Sequence, residues 1–340
     1  MMSLKLSKKS TIKKILLISL TNIGDVILTF PVMDVLKEDF PSAKLSVIIG
    51  PKAESLLRGN PSFDKVYVFN KHQSLYKSFW WMLELRQEQF DLVIDLRNTV
   101  IPFFISPSYR TSLCSHKMNF DGHRTQKHLH RLKSVYDFDV DNNYERYFIF
   151  ISEKDEKYVD DLIEAEKLDG VRYVVVAPGA ADSSKRWGEE KFASVCDHLS
   201  TNYGIKIIFI GSDEDYQIAQ GVAGLMQSKS LNVCGRTSLV QLAALMRHCF
   251  FALVNDSAPM HLASYLNIPV FALFGPTDPL HYGPWSQQSS FLRKNHSCPA
   301  CRGSKGGARH SCMDTISSDE VCSAFKIDSM NGSLHFNHDT

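Results

Sequence analysis

The segment FFALVNDSAPMHLASYLNIPVFALFGPTDP, residues 250–279, decides the fold class of the chain. It contains an apolar run at 250–254, a polar turn, a helical pattern at 260–266, a second apolar run at 270–274 and a second polar turn. Short runs of β-branched and aromatic residues on either side of one helix are typical of a β-α-β unit, whose parallel strands are buried on both faces. The segment therefore predicts an α/β protein.

The same alternation continues towards the N-terminus. Strands are predicted at 15–20, 45–49, 66–69, 92–96, 144–151, 173–177, 205–210 and 231–233. Helices are predicted between them at 31–39, 74–88, 153–167, 190–203, 215–226 and 238–247. Because the pattern runs through two successive copies, it predicts two Rossmann-like domains that face each other across a cleft, with the ligand between them.

The domain boundaries follow from this pattern. We expect an N-terminal domain over residues 1–165 and a C-terminal domain over residues 166–325. Residues 326–340 are polar and follow the last helical pattern, so they are expected to form a disordered tail.

Composition excludes several classes of protein. The chain has 340 residues, of which 44% are hydrophobic and 22% are charged, so it is not disordered, collagen-like or a coiled coil. Its 38 Lys and Arg residues nearly balance its 37 Asp and Glu residues, which gives a net charge of +1. This balance provides no general reason to expect a nucleic acid as partner.

The N-terminus has some features of a secretory signal, because Lys13 and Lys14 precede the apolar run 15–20. The run is much shorter than the about 20 apolar residues that cross a bilayer. Asn22 and Asp25 then interrupt it. We therefore expect the chain to keep its N-terminus and to lie in the cytoplasm.

Three of the eight cysteines, Cys298, Cys301 and Cys312, lie close together in the sequence. With His296 or His310 they make a candidate structural zinc site. A closed zinc site usually has a second closely spaced pair of ligands, and this segment does not have one. Free thiols packed in a loop are the alternative.

Neither of the common nucleotide-binding motifs is present. The first strand is not followed by G-x-G-x-x-G, and G-x-x-x-x-G-K-[ST] occurs nowhere, which argues against a dehydrogenase or a P-loop NTPase. Instead, polar turns follow several predicted strands, at the carboxyl end where open α/β sheets bind ligands. The first turn, 21–26, carries Asp25, which is either a carboxylate in the cleft or the N-cap of the next helix.

The second polar turn suits a phosphate. Pro178 and Gly179 follow the predicted strand 173–177, and such small residues let backbone N–H groups approach an anion. Lys185 and Arg186 supply two cations a few residues later. The alternative is a solvated loop.

The third polar turn opens a helix and reads Asn255-Asp256-Ser257-Ala258-Pro259-Met260-His261. The free N–H groups and the positive dipole end of a helix N-terminus suit a pyrophosphate. The alternative is that Asp256 and Ser257 only cap the helix and that His261 belongs to the core.

Two more turns belong to the same edge of the predicted sheet. The turn at 275–279 adds the hydroxyl of Thr277. The turn at 211–214 adds Glu214, whose carboxylate is suited to accept a hydrogen bond from a ribose hydroxyl.

In the sequence of these turns, the chain resembles glycosyltransferase family 9, the ADP-heptose:lipopolysaccharide heptosyltransferases. The resemblance spans about residues 12–325 and the late cysteine motif also recurs in many members. It rests on four motifs in the right order and spacing: ISLTNIGD at 18–25, APG at 177–179 with KRW at 185–187, NDSAPMHLA at 255–263, and FGPTDP at 274–279.

The resemblance implies a GT-B fold and a transfer that inverts the anomeric centre without a cofactor or a metal. Asp25 matches the general base that deprotonates the acceptor hydroxyl, and Lys185 would stabilise the departing diphosphate. The implied acceptor-binding residues, in the N-terminal domain, are Thr21, Asn22, Gly24 and Arg124. The implied donor-binding residues, in the C-terminal domain, are Pro178, Gly179, Glu214, Asp256, Ser257, Ala258, Pro259, Met260, His261 and Thr277.

Two features depart from the family pattern. Position 258 is Ala where the family commonly has Gly, which bears on how closely the backbone approaches a phosphate. The segment 98–143 shows no family motif beyond a basic cluster at His123, Arg124 and Lys127. These cations suit the phosphates or carboxylates of a lipid A–Kdo core, and a solvated loop is the alternative.

The resemblance therefore implies transfer of heptose from ADP-heptose to the inner core of lipopolysaccharide. Two alternatives stay open. One is a related GT-B enzyme with another nucleotide sugar or another glycan acceptor, and the other is a catalytically silent nucleotide- or glycan-binding protein.

A lipid-linked acceptor also raises the hypothesis of peripheral contact with the inner membrane. The aromatic run Phe79-Trp80-Trp81-Met82 supplies interfacial side chains. Basic charge near an anionic surface would come from Lys8, Lys9, Lys13 and Lys14. The alternative is that Trp80 and Trp81 belong partly to the core of a long helix.

Overall fold

The computed structural model describes residues 11–70, 74–112, 120–138, 148–294, 312–328 and 333–336. The chain divides into two compact units, Met1–Phe150 and Ile151–Thr340.

The first unit is built on a parallel five-stranded sheet with the strand order β3-β2-β1-β4-β5. Its strands are β1 (Lys14–Ile18), β2 (Lys44–Ile49), β3 (Lys65–Val68), β4 (Leu92–Asp95) and β5 (Tyr109–Arg110). Its helices are α1 (Ile23–Ile27), α2 (Phe30–Asp39), α3 (Glu54–Leu57), α4 (Leu75–Gln87), α5 (Ile101–Ile105) and α6 (Arg124–Lys133).

The central strands β1 and β4 of this sheet are largely apolar and are buried on both faces. Leu16, Ile18 and Val93 form one core with Leu85 of α4 and Ile101 of α5. Because consecutive residues of a strand point to opposite faces, an uninterrupted apolar strand needs helices on both sides of the sheet. All the carboxyl ends of the parallel strands therefore meet at one edge, where the turns predicted to bind ligands emerge.

The second unit repeats this architecture with six parallel strands in the order β11-β10-β9-β6-β7-β8. The strands are β6 (Tyr173–Ala177), β7 (Lys206–Phe209), β8 (Ser230–Asn232), β9 (Phe251–Asn255), β10 (Val270–Phe274) and β11 (Ser289–Arg293). The helices are α7 (Glu153–Ala165), α8 (Glu189–Tyr203), α9 (Tyr216–Leu225), α10 (Leu239–Arg247), α11 (Ala258–Tyr265), α12 (Pro279–Tyr282) and α13 (Ser318–Ala324).

Helix α7 belongs to the second unit, whereas the sequence analysis placed the boundary after it, at 165/166. Its Tyr158 hydroxyl donates to the carbonyl oxygen of Arg236 over 2.6 Å. Its Asp155 carboxylate accepts a hydrogen bond from the amide of Gln241, at the start of α10, over 3.1 Å. The charged sequence of α7 does not reveal these contacts, since both partners lie about 80 residues away.

The C-terminal residues correct a second expectation. The tail 326–340 was expected to be disordered, but Phe325–Ile327 (β12) pairs in antiparallel fashion with Leu334–Phe336 (β13). The ring of Phe336 lies 6.0 Å from that of Phe251 and 5.5 Å from that of Phe271, between centroids. The hairpin therefore covers aromatic residues of the central strands β9 and β10, which a polar tail sequence does not suggest.

Replacing Phe336 by Ala tests this packing. Because the ring is partly buried against the central strands, we expect the free energy of unfolding to fall by about 2 kcal/mol, less than the loss for a fully buried phenylalanine. Urea denaturation measures the change. His335→Ala is the matched control, since His335 lies in the same strand with its side chain exposed. Equal stability of the two variants would contradict the packing role of Phe336.

Candidate active site

The side chain of Asn255 holds both ends of one loop of the second unit. Asn255 is the last residue of β9 and is completely buried. Its side-chain amide donates to the carbonyl oxygen of Pro178 over 2.8 Å, and its Oδ1 accepts from the backbone N–H of Trp187 over 3.3 Å. The loop 178–187 is thus attached at its start and at its end. The sequence analysis quoted Asn255 in a motif but gave it no role.

Within that loop, Lys185 forms an ion pair with the residue that follows Asn255. The Nζ of Lys185 lies 2.7 Å from Oδ2 of Asp256, whose side chain is buried. A buried carboxylate is stable only when a cation or several donors compensate its charge. Asp256 therefore fixes the position of the Lys185 ammonium group, which keeps a solvent-accessible side.

The N-terminus of α11 bears on the alternative that Asp256 and Ser257 only cap the helix. The N-cap residue is Ser257, not Asp256, and the Ser257 hydroxyl donates to the carbonyl oxygen of Asn255 over 3.1 Å. Ala258 and Pro259 form the partly exposed first turn. The N-terminal end of this helix is therefore available to an anion in addition to the Lys185 ammonium group.

Two other residues of the third motif point into the protein. Met260 is completely buried. His261 is also buried and its ring stacks on that of Trp285, with 5.7 Å between centroids and 30° between planes. Both side chains therefore contact the core. For His261, this is the alternative given in the sequence analysis.

Gly179 allows two turns of the same edge to touch. A Cβ atom on Gly179 would lie 1.9 Å from Oδ1 of Asp215. The Asp215 carboxylate is itself fixed, because its Oδ2 accepts from the N–H of Ser212 over 2.9 Å and from the Ser212 hydroxyl over 2.8 Å. Only glycine fits between this carboxylate and the loop. Glu214, the predicted ribose contact, is exposed next to it in the short 3₁₀ helix Asp213–Asp215.

The turn after β10 joins the same edge. A Cβ atom on Gly275 would lie 3.2 Å from the carbonyl oxygen of Ser184, so this turn packs on the loop that carries Lys185. Arg293, at the end of β11, donates from Nε to the carbonyl oxygen of Gly275 over 3.4 Å. Thr277 is partly exposed in this turn. The sequence analysis gave Arg293 no role, because it predicted no strand after 270–274.

In the first unit, the turn after β1 presents Asp25 in the first turn of α1. The N-cap position belongs to Asn22, and the Asn22 amide donates to Oδ2 of Asp25 over 3.0 Å. Asp25 is therefore not the cap of this helix, and its partly exposed carboxylate is oriented by a neighbouring donor. Gly24 lies between them in the helix, and Thr21 packs on Gly50 of the next turn, whose Cβ would lie 2.8 Å from it.

Asp95, at the end of β4, organises the adjacent turn. It is buried, and its Oδ1 accepts from the N–H of Arg97 over 2.8 Å. Its Oδ2 accepts from the N–H of Thr99 over 2.6 Å and from the Thr99 hydroxyl over 3.0 Å. The sequence analysis did not single out Asp95, because a carboxylate that bonds its own turn has no motif of its own.

Helix α6 is a concentration of positive charge. Arg124, Lys127 and Arg131 lie on it, and its sequence contains no acidic residue. The pKa of Arg131 is lowered by burial, and the negative charge of Asp95 opposes that shift. Burial, together with the charges of Arg124 and Arg131, lowers the pKa of His128 to about 3. His128 is therefore neutral at neutral pH, and the cations remain as a basic cluster near the end of β4.

Part of the cysteine cluster lies outside the described residues. Cys298, Cys301, His296 and His310 belong to the segment that is not described, whereas Cys312 is buried. Within the described ranges, no three His, Cys, Asp or Glu side chains are grouped so that they would hold a metal ion. In the same ranges, no helix has the length and apolar character needed to cross a bilayer.

Comparison with known proteins identifies the family. Residues 81–309 match glycosyltransferase family 9 (heptosyltransferase). This chain belongs to that family. The two parallel sheets with their helices are the Rossmann-like domains of its GT-B fold, in agreement with the motifs at 18–25, 177–187, 255–263 and 274–279.

Individual proteins similar to this chain include curated relatives and solved structures. Lipopolysaccharide heptosyltransferase 3 of Escherichia coli K12 is 27% identical over 287 residues, which cover 78% of this chain and 83% of the relative. A family 9 glycosyltransferase from Veillonella parvula, known as a crystal structure, has a TM-score of 0.76 and 26% identity, and covers 92% of this chain and 95% of that one. E. coli heptosyltransferase WaaC, solved with ADP-2-deoxy-2-fluoro heptose, has a TM-score of 0.64 at 15% identity, covering 91% and 97% of the two chains.

The low pKa of His128 predicts a pH-dependent stability. In the unfolded chain His128 titrates near its usual pKa of about 6.5, whereas in the folded protein it resists protonation. The unfolded state therefore binds more protons between pH 6.5 and 3, and the stability contribution present above pH 6.5 is lost as the pH falls. From pH 7.5 to 5.0 we expect a loss of about 2 kcal/mol from this residue.

Chemical denaturation of the wild type and of a His128→Gln variant at both pH values measures this contribution. On acidification, the free energy of unfolding of the variant should fall by about 2 kcal/mol less than that of the wild type. The comparison uses the change with pH, so a constant cost of the substitution cancels. A wild type and variant with parallel pH dependence would show that His128 is accessible to protons in the folded state.

Proposed function

We propose that this chain transfers heptose from ADP-heptose to the inner core of lipopolysaccharide, by an inverting and metal-independent reaction. The second unit holds the donor and the first unit receives a lipid A–Kdo type acceptor. The observation that carries the proposal is the ion pair of Lys185 with buried Asp256, on a loop fixed at both ends, in a member of family 9. A lipid-linked acceptor also places the enzyme in the cytoplasm, at the inner membrane.

The donor site is formed by four turns of the second unit, which follow β6, β7, β9 and β10. The diphosphate contacts the Lys185 ammonium group, the backbone at Pro178 and Gly179, and the first turn of α11 with Ser257 and Ala258. Exposed N–H groups and one cation are the ordinary means by which such a fold binds phosphates. Glu214 contacts the ribose, and Pro259 and Thr277 lie around the diphosphate and the sugar. The buried residues Asp256, Met260 and His261 support the donor site from behind, Asp256 by holding Lys185 and the other two by packing.

Ala258 and Met260 limit how these contacts are made. Because Met260 is completely buried, it contributes to the site by its backbone and by packing under α11. Ala258 lies in the first turn of a regular helix, after an extended Ser257. That helical backbone suits alanine as well as glycine, so the departure from the family pattern is compatible with donor binding.

The chemical step needs a cation at the leaving group. As the bond between the anomeric carbon and the diphosphate breaks, its electron pair moves to the phosphate oxygen, and negative charge grows there. The Lys185 ammonium group has three N–H donors, and the ion pair with Asp256 uses one side of it. A cation already held in place stabilises the developing charge without rearranging during the reaction.

The same step needs a base at the acceptor. Asp25 takes the proton of the acceptor hydroxyl while the oxygen forms its bond to the anomeric carbon. The hydrogen bond from Asn22 to Oδ2 orients the carboxylate, which retains lone pairs for the proton. Thr21, Asn22 and Gly24 flank the acceptor, and Arg124 on the basic helix α6 contacts its phosphates or carboxylates.

An Asp25→Asn variant tests the base. The amide keeps the size of the side chain but does not accept the proton, so we expect the transfer rate to fall by about 10²- to 10⁴-fold with ADP binding unchanged. Transfer to a Kdo-bearing lipid A acceptor, followed by mass spectrometry, measures the rate. Asp161→Asn, in an exposed pair with Lys157, is the control. Transfer at the wild-type rate in the Asp25 variant would refute its role.

A nucleotide series tests the donor. By calorimetry we expect ADP to bind more tightly than UDP or GDP. A Gly179→Ala substitution should weaken ADP binding by about tenfold or more, because the new Cβ collides with Asp215 and displaces the loop that carries Lys185.

Gly224→Ala is the control for that substitution, since a Cβ there meets no atom within 4 Å. Preference for UDP or GDP would overturn the heptose donor while leaving the fold assignment intact. Full ADP affinity in the Gly179 variant would show that the diphosphate does not use this loop.

A further inference from the structure

Helices α4 and α5 of the first unit expose a set of large apolar side chains. The exposed fractions are 71% for Tyr76, 48% for Phe79, 52% for Trp80, 72% for Val100 and 48% for Phe103. We call these five residues the aromatic face.

The three rings of the aromatic face on α4 contact one another, and one of them contacts α5. The ring of Trp80 lies 6.0 Å from that of Tyr76 and 6.2 Å from that of Phe79, between centroids. The ring of Phe79 in turn lies 6.1 Å from that of Phe104 in α5. Exposed apolar residues are common one at a time, but a contiguous group of aromatic rings marks a surface that binds something.

Packing inside the unit does not require these rings, because α4 has a separate inner face. Leu85 is buried in the core, and the ring of Trp81 lies 5.0 Å from that of Phe69 and 6.5 Å from that of Tyr67. One of the two adjacent tryptophans thus packs inwards, while Trp80 points to solvent.

Cations border the aromatic face. Arg110 lies over the ring of Phe103, 3.9 Å from its centroid, and donates to the carbonyl oxygen of Pro102. Arg86 donates to the carbonyl oxygen of Phe104 over 3.4 Å, and Lys77 is exposed on α4 next to Tyr76.

Cations outnumber carboxylates near the aromatic face. Glu88, which follows α4, is paired with Lys14 over 3.3 Å and with Lys65. Glu84 is exposed on α4. Lys77, Arg86 and Arg110 set against Glu84 leave a net positive charge beside the rings.

We infer that the aromatic face docks on the surface of an anionic lipid bilayer. Tyr and Trp prefer the boundary between hydrocarbon and headgroups, and Arg and Lys at the same depth meet anionic headgroups. The choice of a bilayer over a protein partner rests on the proposed function, in which the acceptor is lipid-linked. The location of the docking surface is inferred from the rings and from the cations that border them.

This surface differs from the one suggested by the sequence. Trp81 turns inwards, and the side chain of Lys14 is engaged by Glu88. Lys8 and Lys9 lie outside the described residues. Lys13 is exposed. Positive charge next to the aromatic face comes from Arg110, which lies over the Phe103 ring, and from Arg86, which donates to the backbone carbonyl oxygen of Phe104.

Vesicle flotation with the full chain tests the inference. One set of vesicles contains phosphatidylglycerol and phosphatidylethanolamine, and the other contains phosphatidylcholine only. We expect stronger binding to the anionic set. A Phe79→Ser/Trp80→Ser variant should bind the anionic vesicles about tenfold more weakly, because it removes two interfacial rings. An Arg86→Gln/Arg110→Gln variant should lose most of the preference for the anionic set.

Leu225→Ser is the control, since Leu225 is 47% exposed on the second unit. Circular dichroism and ADP binding show that each variant is folded. Unchanged vesicle binding by the Phe79/Trp80 variant would overturn the inference. So would a dimer of the wild type, seen by analytical ultracentrifugation, that this variant dissociates, because the face would then bind a second copy of the chain.

Transfer assays distinguish a failure of the proposed function from a failure of the docking surface. With a lipid-free Kdo acceptor, the Phe79/Trp80 variant should transfer sugar at the wild-type rate, and with the acceptor in vesicles it should be slower. If the wild type floats with anionic vesicles but transfers to neither acceptor, the proposed activity fails and the docking surface stands. If both proteins transfer equally in vesicles and neither floats, the docking surface fails and the activity stands.

Discussion

The hydrogen bonds of one buried amide determine the shape of the donor half of the site. Asn255 ends an otherwise apolar strand, where an unsatisfied amide would be costly. Both of its polar groups are bonded, one to Pro178 and one to Trp187, so the intervening loop is attached at two points. The next residue, Asp256, attaches the loop a third time through Lys185. Two consecutive residues at one strand end thus place the cation on which the proposed chemistry depends.

The ion pair also explains why a buried carboxylate is present there at all. Removing either partner would leave an uncompensated charge, which is more costly than replacing the pair by apolar groups. A hydrophobic replacement would stabilise the fold equally well, but it would remove the cation from the sheet edge. The pair is therefore better explained by the need to hold a positive charge near an anionic ligand than by stability.

Most of the fold was predictable from local pattern, since strand Val270–Phe274 and the turns after the strands follow from the alternation of apolar and polar residues. The C-terminal hairpin was not, because Phe336 is stabilised by rings of Phe251 and Phe271 far away in the sequence. The site divides in the same way. Lys185 and Asp256 were named by motif, whereas Arg131 and Arg293 acquire a role only through neighbours that the fold brings to them.

In the first unit, Asp95 influences both the turn before α5 and the charge of the basic helix α6. Its charge acts on Arg131 of α6, and its carboxylate bonds Thr99, whose hydroxyl accepts from the N–H of Ile101 at the start of α5. A lipid-linked acceptor has an anionic sugar part and an apolar part joined covalently, so a protein that binds it needs a basic and an apolar surface at a fixed spacing. For the proposed acceptor, Asp95 fixes the turn before α5 by hydrogen bonds to Thr99, and its negative charge favours the charged form of Arg131 on α6.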